Sequence, residues 1–303
     1  MAPLPEPQPA ALPLPGGRQG ATVRVHPLLC GLAAWPESWP HRQDGRFAKL
    51  RSIGAGVPRD RWIPIPIVAF LVEHPGAGPI LIDTGLEPAV AEHPRHSFGR
   101  ILAATGGRTF TMDASQAVPA HLRARGVNPA DVKVIVMTHL HYDHTSGMGQ
   151  FPNATFLITK WEWDAANGPM SLLHGYVRRH FVREFDYRLL DFEGRGAQPY
   201  ATFGRTLDLF GDGSVRALPT PGHTHGHVSV ILRTSRLEIL VAGDATYTRH
   251  TLETGHRPAH IEDERLFTRS LRALQIYHRE KPDALVIPGH DLDAWRELAP
   301  VYE

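Results

Sequence analysis

Residues 138–145 read Thr-His-Leu-His-Tyr-Asp-His-Thr and directly follow the apolar run VKVIVM at residues 132–137. Within this stretch, four side chains that can bind a metal ion fall in six consecutive positions: His139, His141, Asp143 and His144. Imidazole and carboxylate groups together suit zinc and its neighbours in the first transition series. The run before them is β-branched and bounded, which predicts a buried strand. We therefore expect metal ligands in the loop that follows this strand.

Four further apolar runs also end in residues that can bind or orient a metal ion. These residues are Asp83, His223, Asp244 and His290. Loops at the strand ends of a layered sheet converge on one edge, which is where such folds place their sites. The resulting donors are His139, His141, Asp143, His144, His223, Asp244 and His290. Seven donors are too many for one tetrahedral ion and suit two ions, roughly 3.5–4 Å apart, with a shared carboxylate and a shared water.

The hydrophobic pattern predicts strands and helices in two similar halves. The predicted strands are 65–72, 79–82, 132–137, 215–218, 227–233, 237–242 and 285–287. One helix is predicted from about Pro119 to Arg125, before Gly126. A second is predicted at 262–279, with Phe267, Leu271, Leu274 and His278 on one face. This order suggests two packed sheets with helices outside them.

Residues 161–190 differ from the rest of the chain because many aromatic side chains stand among charged ones. One interpretation is a set of amphipathic helices that cover the core. The other is a cap that lines an apolar substrate pocket.

The composition of the 303 residues is that of an ordinary globular protein, with 42% hydrophobic and 21% charged residues. A net charge of +1 gives no argument for nucleic acid or a membrane as a partner. The single cysteine, Cys30, excludes an internal disulfide and argues against a thiolate metal site. No apolar run approaches the roughly 18 residues that span a bilayer.

The N-terminus is rich in proline and resembles neither a secretory signal nor a folded segment. We expect a disordered tail at residues 1–22 and a catalytic domain at residues 23–303. Without a recognisable signal, the expected location is the cytoplasm.

The motif His-x-His-x-Asp-His at residues 139–144 resembles the hallmark of the metallo-β-lactamase superfamily, and Asp83-Thr84-Gly85 and His290 follow the family's order. The resemblance implies a four-layer αβ/βα sandwich, a layered α+β fold, with the site at the edge between its two sheets. It implies that one metal is held by His139, His141 and His223. The second would be held by Asp143, His144 and His290, with Asp244 bridging, and Asp83 would lie outside the ligands.

The residues after the bridging position narrow the subfamily. Gly243-Asp244-Ala245-Thr246-Tyr247 resembles the N-acyl-homoserine lactonases, which carry a tyrosine three residues after the bridging aspartate. His141, where the flavodiiron proteins carry glutamate, disfavours that group, and Asp244 replaces the cysteine of many antibiotic-hydrolysing members. The expected function is hydrolytic opening of the lactone ring of N-acyl-homoserine lactones by a metal-bridging hydroxide. Tyr247 would support the oxyanion, and Asp143 would relay a proton to the leaving group.

The expected cofactors are two divalent ions per chain, with zinc as the default and manganese, cobalt or iron as alternatives. The expected partner is a small-molecule lactone, and the resemblance is compatible with a homodimer. The main alternative is another hydrolase on the same scaffold, acting on a thioester as glyoxalase II does, on a phosphodiester or on another lactone. Glyoxalase II normally adds a C-terminal helical domain, whereas thirteen residues follow His290 here. An iron-dependent oxidoreductase and a non-catalytic scaffold are the more distant alternatives.

Other histidines are expected to have supporting roles. In the stretch GHTHGH, His225 and His227 would orient the loop or satisfy backbone groups rather than bind metal. Five more histidines are interpreted as surface or pocket residues: His174, His180, His250, His256 and His260.

Overall fold

The strands of the protein form one sheet of eight strands and one of six, in a computed structural model that describes residues 5–93, 95–99 and 109–303. The first sheet contains β1 (Gln8–Pro9), β2 (Arg24–Pro36), β3 (Trp62–His74), β4 (Gly78–Ile82), β5 (Phe110–Thr111), β6 (Val134–Val136), β7 (Thr155–Thr159) and β8 (Asp186–Leu190). The second contains β9 (Gln198–Tyr200), β10 (Phe203–Asp208), β11 (Val215–Pro219), β12 (Val228–Arg233), β13 (Glu238–Gly243) and β14 (Leu285–Pro288).

The strand order brings the loops that follow several strands to one edge. The first sheet runs β1-β8-β7-β6-β4-β3-β2-β5, and β4, β6, β7 and β8 are parallel to their neighbours in that series. The second runs β14-β13-β12-β11-β10-β9, with β13 and β14 parallel. Because parallel strands end at the same edge of a sheet, the loops after β4 and β6 are neighbours, as are those after β13 and β14.

The α-helices lie outside the two sheets or in the loops between strands. They are α1 (Ala48–Ser52), α2 (Ala89–Glu92), α3 (Val118–Ala124), α4 (Tyr142–Thr145), α5 (Lys160–Asn167), α6 (Arg178–Phe181), α7 (Arg249–Thr254), α8 (Glu264–Glu280) and α9 (Leu292–Arg296). Residues 95–99 are helical as well. No helix within the described ranges is long and apolar enough to cross a membrane.

Three buried clusters define four layers. Between the sheets, Phe70 and Ile82 share a core cluster with Val230 and Val241. On the outer face of the first sheet, side chains such as that of Ile135 pack with those of α3 and α5. The outer face of the second sheet packs in the same way on α7 and α8. The order helix, sheet, sheet, helix confirms the predicted four-layer sandwich.

Helix α8 confirms the predicted helix, but one residue of its predicted buried face differs. Its N-cap is Asp263, whose carboxylate accepts hydrogen bonds from the N–H groups of Arg265 (2.8 Å) and Leu266 (2.9 Å). Phe267, Leu271 and Leu274 are buried as predicted, together with Tyr277. His278 is exposed, so its assignment to the buried face is wrong. The residue three positions after Leu274, rather than the one four positions after it, points into the core.

All seven predicted strands are present with shifted ends, and the sequence analysis missed the others. The longest missed strand is β2, which has buried residues on both faces and therefore lacks an alternating pattern. Its pairing with β3 shifts register between Leu29 and Leu32. Gly31 lies in this bulge with φ of +122°, a conformation that favours glycine.

Residues 161–190 form helices that cover the core and then a strand. Trp163 and Phe181 pack in the core, as expected for helices that cover it. The last part of the segment is strand β8, so a purely helical interpretation is wrong there. Its aromatic Tyr187 alternates into the core, as a strand requires.

The predicted boundary between a tail and a catalytic domain, after residue 22, stays a prediction. Within that tail, strand β1 pairs in parallel with β8, and the N–H of Leu14 donates to the carbonyl of Leu209 (2.7 Å). Leu12 and Leu14 pack against the core between the sheets, so the expected disorder is wrong for residues 8–14.

Candidate metal centre

The predicted ligands come together where loops from both sheets meet. The loops after β4, β6, β11, β13 and β14 each contribute residues there, as the sequence pattern predicts. In the loop after β6, the chain turns at His141 into the single-turn helix α4, which carries Asp143 and His144. All seven predicted ligands are buried.

The first group consists of three histidine rings. Nε2 of His223 lies 3.3 Å from Nε2 of His139 and 3.0 Å from Nδ1 of His141. Nitrogens at the corners of a tetrahedral zinc site, with Zn–N bonds of about 2.0–2.1 Å, are separated by about 3.3 Å. These three residues therefore have the arrangement of ligands for one ion.

The second group consists of Asp143, His144 and His290. An oxygen of Asp143 lies 3.8 Å from Nε2 of His144 and 3.7 Å from Nε2 of His290. Each residue offers one donor atom within 4.8 Å of the other two, as in the first group.

Asp244 stands between the two groups. Its Oδ2 lies 3.2 Å from Nε2 of His223 and 3.2 Å from Nε2 of His290. Its Oδ1 lies 3.6 Å from Nε2 of His144 and has no hydrogen-bond partner. A carboxylate in this position can bridge two cations, one in each group.

Unpaired polar atoms indicate that the cluster is built for cations. Nε2 of His144 and Oδ1 of Asp244 are buried without a hydrogen-bond partner. A buried polar atom without a partner costs free energy, which a metal bond would offset. The donor set of imidazoles and carboxylates suits zinc and its neighbours. The residues therefore fit two divalent ions.

The charges at the cluster support the same conclusion. Burial holds the pKa of His139, His141 and His223 well below its ordinary value, so each ring is neutral and keeps a lone pair for a metal. Burial also lowers the pKa of His144, but the carboxylates of Asp83 and Asp143 outweigh it and raise that pKa to about 10. The carboxylates thus favour a positive charge, which a bound cation would supply.

Asp83 lies behind the ligands, as expected. Its Oδ2 is 2.8 Å from Nδ1 of His144 and accepts a hydrogen bond from the Thr138 hydroxyl (2.7 Å), while Oδ1 accepts one from the Thr138 N–H (2.8 Å). The backbone of Asp83 has φ of +59°, which is uncommon outside glycine and marks a constrained position. Asp83 therefore orients His144 rather than binding metal itself.

His227 and Glu162 are supporting residues of the same centre. Nε2 of His227 accepts a hydrogen bond from the N–H of Asp244 (3.0 Å), which matches the predicted role in orienting a loop. The sequence analysis missed Glu162, which is buried at the start of α5. Its carboxylate accepts hydrogen bonds from the Leu140 N–H (2.8 Å) and the Thr224 hydroxyl (2.7 Å), and so ties two ligand loops together. No motif surrounds it that could have revealed this role.

Tyr247 lies beside the first histidine group. Its hydroxyl is 3.3 Å from Nδ1 of His223, and its ring is 5.2 Å from that of His290. Burial raises the pKa of Tyr247 well above its ordinary value, so the hydroxyl keeps its proton and can donate a hydrogen bond.

A cavity of about 150 Å³ opens onto the centre. Its wall includes both polar and apolar side chains: Trp35, Trp39, Leu172, Leu173, Tyr247 and His260. The two leucines belong to residues 161–190, so that segment also contributes to a pocket. A larger cleft of about 1020 Å³ lies behind the loop at 221–227 and is not lined by any of the seven predicted ligands. The smaller cavity is therefore the candidate substrate site.

The remaining histidines lie outside the two ligand groups. His225 is exposed and pairs with Glu262, with Nδ1 2.7 Å from its carboxylate. His174 and His260 line the cavity. His180 is buried near α4 and lines neither of the two cavities, so its interpretation as a surface or pocket residue is wrong, whereas His250 is exposed as expected.

Comparisons with known proteins agree with this geometry. Residues 62–290 match the metallo-β-lactamase superfamily. A curated protein of Rhizobium radiobacter, named N-acyl homoserine lactonase AttM, is 35% identical over 234 residues, which cover 76% of this chain and 84% of that protein. The chain belongs to the metallo-β-lactamase superfamily.

Solved structures share the fold at lower identity. An N-acyl homoserine lactone hydrolase with the product N-hexanoyl-L-homoserine at its catalytic metal centre has a TM-score of 0.70 and 22% identity, over 92% of this chain and 97% of that one. AidC, described as a dizinc quorum-quenching lactonase, has a TM-score of 0.59 and 16% identity, over 92% of each chain. Both likenesses establish the four-layer fold.

Proposed function

We propose that this chain is a metal-dependent hydrolase that opens the lactone ring of N-acyl-homoserine lactones. The observation that carries the proposal is the position of Asp244, 3.2 Å from one histidine of each ligand group, next to Tyr247 and an open cavity. The curated relative named as an N-acyl homoserine lactonase supports the choice of substrate.

The ligands in this proposal are those that the sequence predicts. His139, His141 and His223 would hold one ion, and Asp143, His144 and His290 the other, with Asp244 shared. Divalent ions held there would lower the pKa of water to about 7 and polarise the lactone carbonyl. We propose that the ions are zinc and that each chain binds two of them.

Tyr247 supports the reaction as a hydrogen-bond donor. The carbonyl oxygen gains negative charge as water adds to the carbonyl carbon, and the Tyr247 hydroxyl can donate to that oxygen. Such a donor stabilises the transition state more than the substrate because the charge develops only during the reaction.

Asp143 moves the proton that the reaction transfers. Burial raises the pKa of Asp143, because a charged carboxylate is poorly solvated there. In the proposed reaction, Asp143 accepts the proton that the attacking water loses and donates it to the ring oxygen as the carbon–oxygen bond breaks. The product is one ring-opened molecule, an N-acyl-homoserine, which carries both an alcohol and a carboxylic acid, and the acid releases its proton to solvent at neutral pH.

An acid-release assay tests the substrate. Zinc-loaded protein is given N-hexanoyl- and N-dodecanoyl-homoserine lactone in weak buffer with a pH indicator, alongside a glutathione thioester and a bis-p-nitrophenyl phosphodiester. We expect rapid acid release from at least one homoserine lactone. Turnover of the thioester or phosphodiester without lactone turnover would contradict the proposed substrate and retain the hydrolase.

Replacing Asp143 tests its place in the second ligand group. Asp143→Ala removes one of three ligands, so we expect about one bound ion per chain instead of two, and nearly complete loss of turnover. Metal analysis after desalting measures the number of bound ions, and the acid-release assay measures turnover. Asp293→Ala, at an exposed aspartate in α9, is the matched control. Two tightly bound ions in Asp143→Ala would show that Asp143 is not a ligand.

A further inference from the structure

His141 differs from the other predicted histidine ligands in its outer nitrogen, the ring nitrogen that faces away from the cluster. The outer Nδ1 atoms of the other four each lie near an oxygen: His139 near Thr138 Oγ1 (3.0 Å), His144 near Asp83 Oδ2 (2.8 Å), His223 near the Tyr247 hydroxyl (3.3 Å) and His290 near the Pro66 carbonyl (3.1 Å). In His141 the two ring nitrogens have the opposite arrangement, because Nδ1 faces the cluster and lies 3.0 Å from Nε2 of His223. Its Nε2 is buried without a hydrogen-bond partner.

The chemistry of a neutral imidazole determines what this nitrogen needs. If Nδ1 of His141 gives its lone pair to a metal, the ring proton is on Nε2. That N–H is a donor, and a buried donor without an acceptor costs free energy. An acceptor should therefore lie nearby.

His260 and Glu262 are two neighbouring groups that can accept. One ring nitrogen of His141, one of His260 and a carboxylate oxygen of Glu262 lie within 4.8 Å of one another. Nε2 of His260 is also buried without a partner, and its ring centroid is 5.4 Å from that of His141.

The position of His260 is fixed by its surroundings. Its ring stacks on Trp39 with centroids 5.9 Å apart and an angle of 5° between the planes. The adjacent residue, Ala259, donates its N–H to the carbonyl of Trp39 (2.8 Å). The His260 carbonyl also lies 3.4 Å from Nδ1 of His223.

Glu262 is fixed in the same way. Its N–H donates to the carbonyls of Gly222 (3.0 Å) and His223 (3.2 Å) in a ligand loop. Its carboxylate accepts the N–H of His225 (3.2 Å) and lies 3.4 Å from Nδ1 of His174. A negative charge is thus held close to the ligand that lacks an outer partner.

We infer that His260 and Glu262 are positioning residues for His141, with the His141 Nε2–H donating to the His260 ring, directly or through one water, and the Glu262 carboxylate behind it. This inference rests on the proposed metal centre. An acceptor on the outer nitrogen fixes the tautomer and orientation of a metal-binding histidine and increases its basicity, and removing such an acceptor typically weakens metal binding about 10–100-fold.

Metal affinity tests this role without using activity. We compare zinc binding to the wild type, His260→Phe and His260→Gln by competition with a chromophoric chelator. Phenylalanine keeps the stack on Trp39 but offers no acceptor, so we expect one of the two ions to bind about 10–100-fold more weakly. Glutamine restores an acceptor near the position of Nε2, so we expect its affinity to stay within about threefold of the wild type.

A second variant and a control complete the experiment. Glu262→Gln removes the charge and should weaken the same ion, and it also provides the test if His260→Phe does not fold. His256→Phe replaces another histidine whose Nε2 is buried without a partner, away from the centre, and should leave both affinities unchanged. Thermal unfolding of each metal-free protein verifies that the variants fold.

The outcomes separate this inference from the proposed function. Unchanged zinc affinity in both His260→Phe and Glu262→Gln would overturn the inference. If these variants still bind two ions, the proposed metal centre would stand. A change confined to KM also overturns it, because His260 would then be only a wall of the cavity. A wild type that binds no zinc contradicts the proposed function itself.

Discussion

Tyr247 is the side chain whose role can be isolated most cleanly, because it touches the centre without being a predicted ligand. Its protonated hydroxyl lies 3.3 Å from Nδ1 of His223. Tyr247→Phe keeps the ring and removes the donor, so we expect kcat to fall by roughly 10²–10³-fold. Acid release from N-acyl-homoserine lactones measures kcat and KM.

The interpretation of that variant depends on its metal content and on a matched tyrosine. Tyr247→Phe should retain the wild-type number of ions, since the tyrosine is not a ligand. Tyr200→Phe removes a hydroxyl that contacts Glu238, far from the cavity, and should leave kcat unchanged. A Tyr247→Phe enzyme with wild-type kcat would mean that Tyr247 only packs against its neighbours.

Individual residues of the site were predictable to different degrees. The ligand motif was readable because its donors are adjacent in sequence and follow apolar runs that end at one sheet edge. Glu162 and His260 were not, because their roles depend on which loops meet in space. Glu162 comes 21 residues after His141 along the chain, in a helix with no metal motif.

Among the structural elements, the loop at 221–227 depends on a close approach to helix α8. Gly222 has φ of +134°, and a Cβ built on it would lie 2.1 Å from the backbone nitrogen of Phe267. Gly222→Ala should therefore lower the free energy of unfolding by about 3 kcal/mol, because backbone strain and overlap act together. Urea unfolding of the metal-free protein measures this, with Gly196→Ala as the control, since no atom lies within 4 Å of its added Cβ. Equal stability of both variants would contradict the close packing.

Helix α6 makes stability depend on pH through His180. Burial lowers the pKa of His180 to about 3, and its Nε2 lies 3.0 Å from the Ser97 carbonyl. In the unfolded chain the pKa is about 6.5, so between pH 6.5 and 3 the unfolded state binds a proton that the folded state does not. The contribution of His180 to the free energy of unfolding is thus complete above pH 6.5 and is lost as the pH falls towards 3.

The test compares the wild type with His180→Gln in chelator-containing buffer. The difference in unfolding free energy between them should narrow by about 1 kcal/mol from pH 6.5 to pH 5.5. His278→Gln, at the exposed histidine of α8, is the matched control. A constant difference for His180→Gln would contradict the neutral, buried state of His180.

The strands that were predicted and those that were missed differ in their surroundings. Strands such as β4 and β13 are short, β-branched runs bounded by Gly or Pro, which is a local signal. Strand β2 is buried on both faces and interrupted by a bulge, and β8 follows helices in a region rich in charge. Their pairing is set by contacts with distant strands, which a local pattern does not contain.

For the molecule as a whole, the centre joins the two sheets. Loops from the first sheet supply Asp143 and His144, and loops from the second supply Asp244 and His290. Metal bound between them would stabilise the folded chain, because the unfolded chain has no assembled site. The overall sandwich was predictable from the resemblance to the family, since the ligands that it implies lie in loops of both sheets.

The most direct test of the account is metal analysis of the purified chain, before and after dialysis against a chelator, paired with acid release from N-acyl-homoserine lactones. We predict about two divalent ions per chain, loss of both ions and of turnover on chelation, and recovery when two equivalents of zinc are returned. Full lactone turnover by the metal-free protein, or lack of any bound ion in an active one, would contradict it.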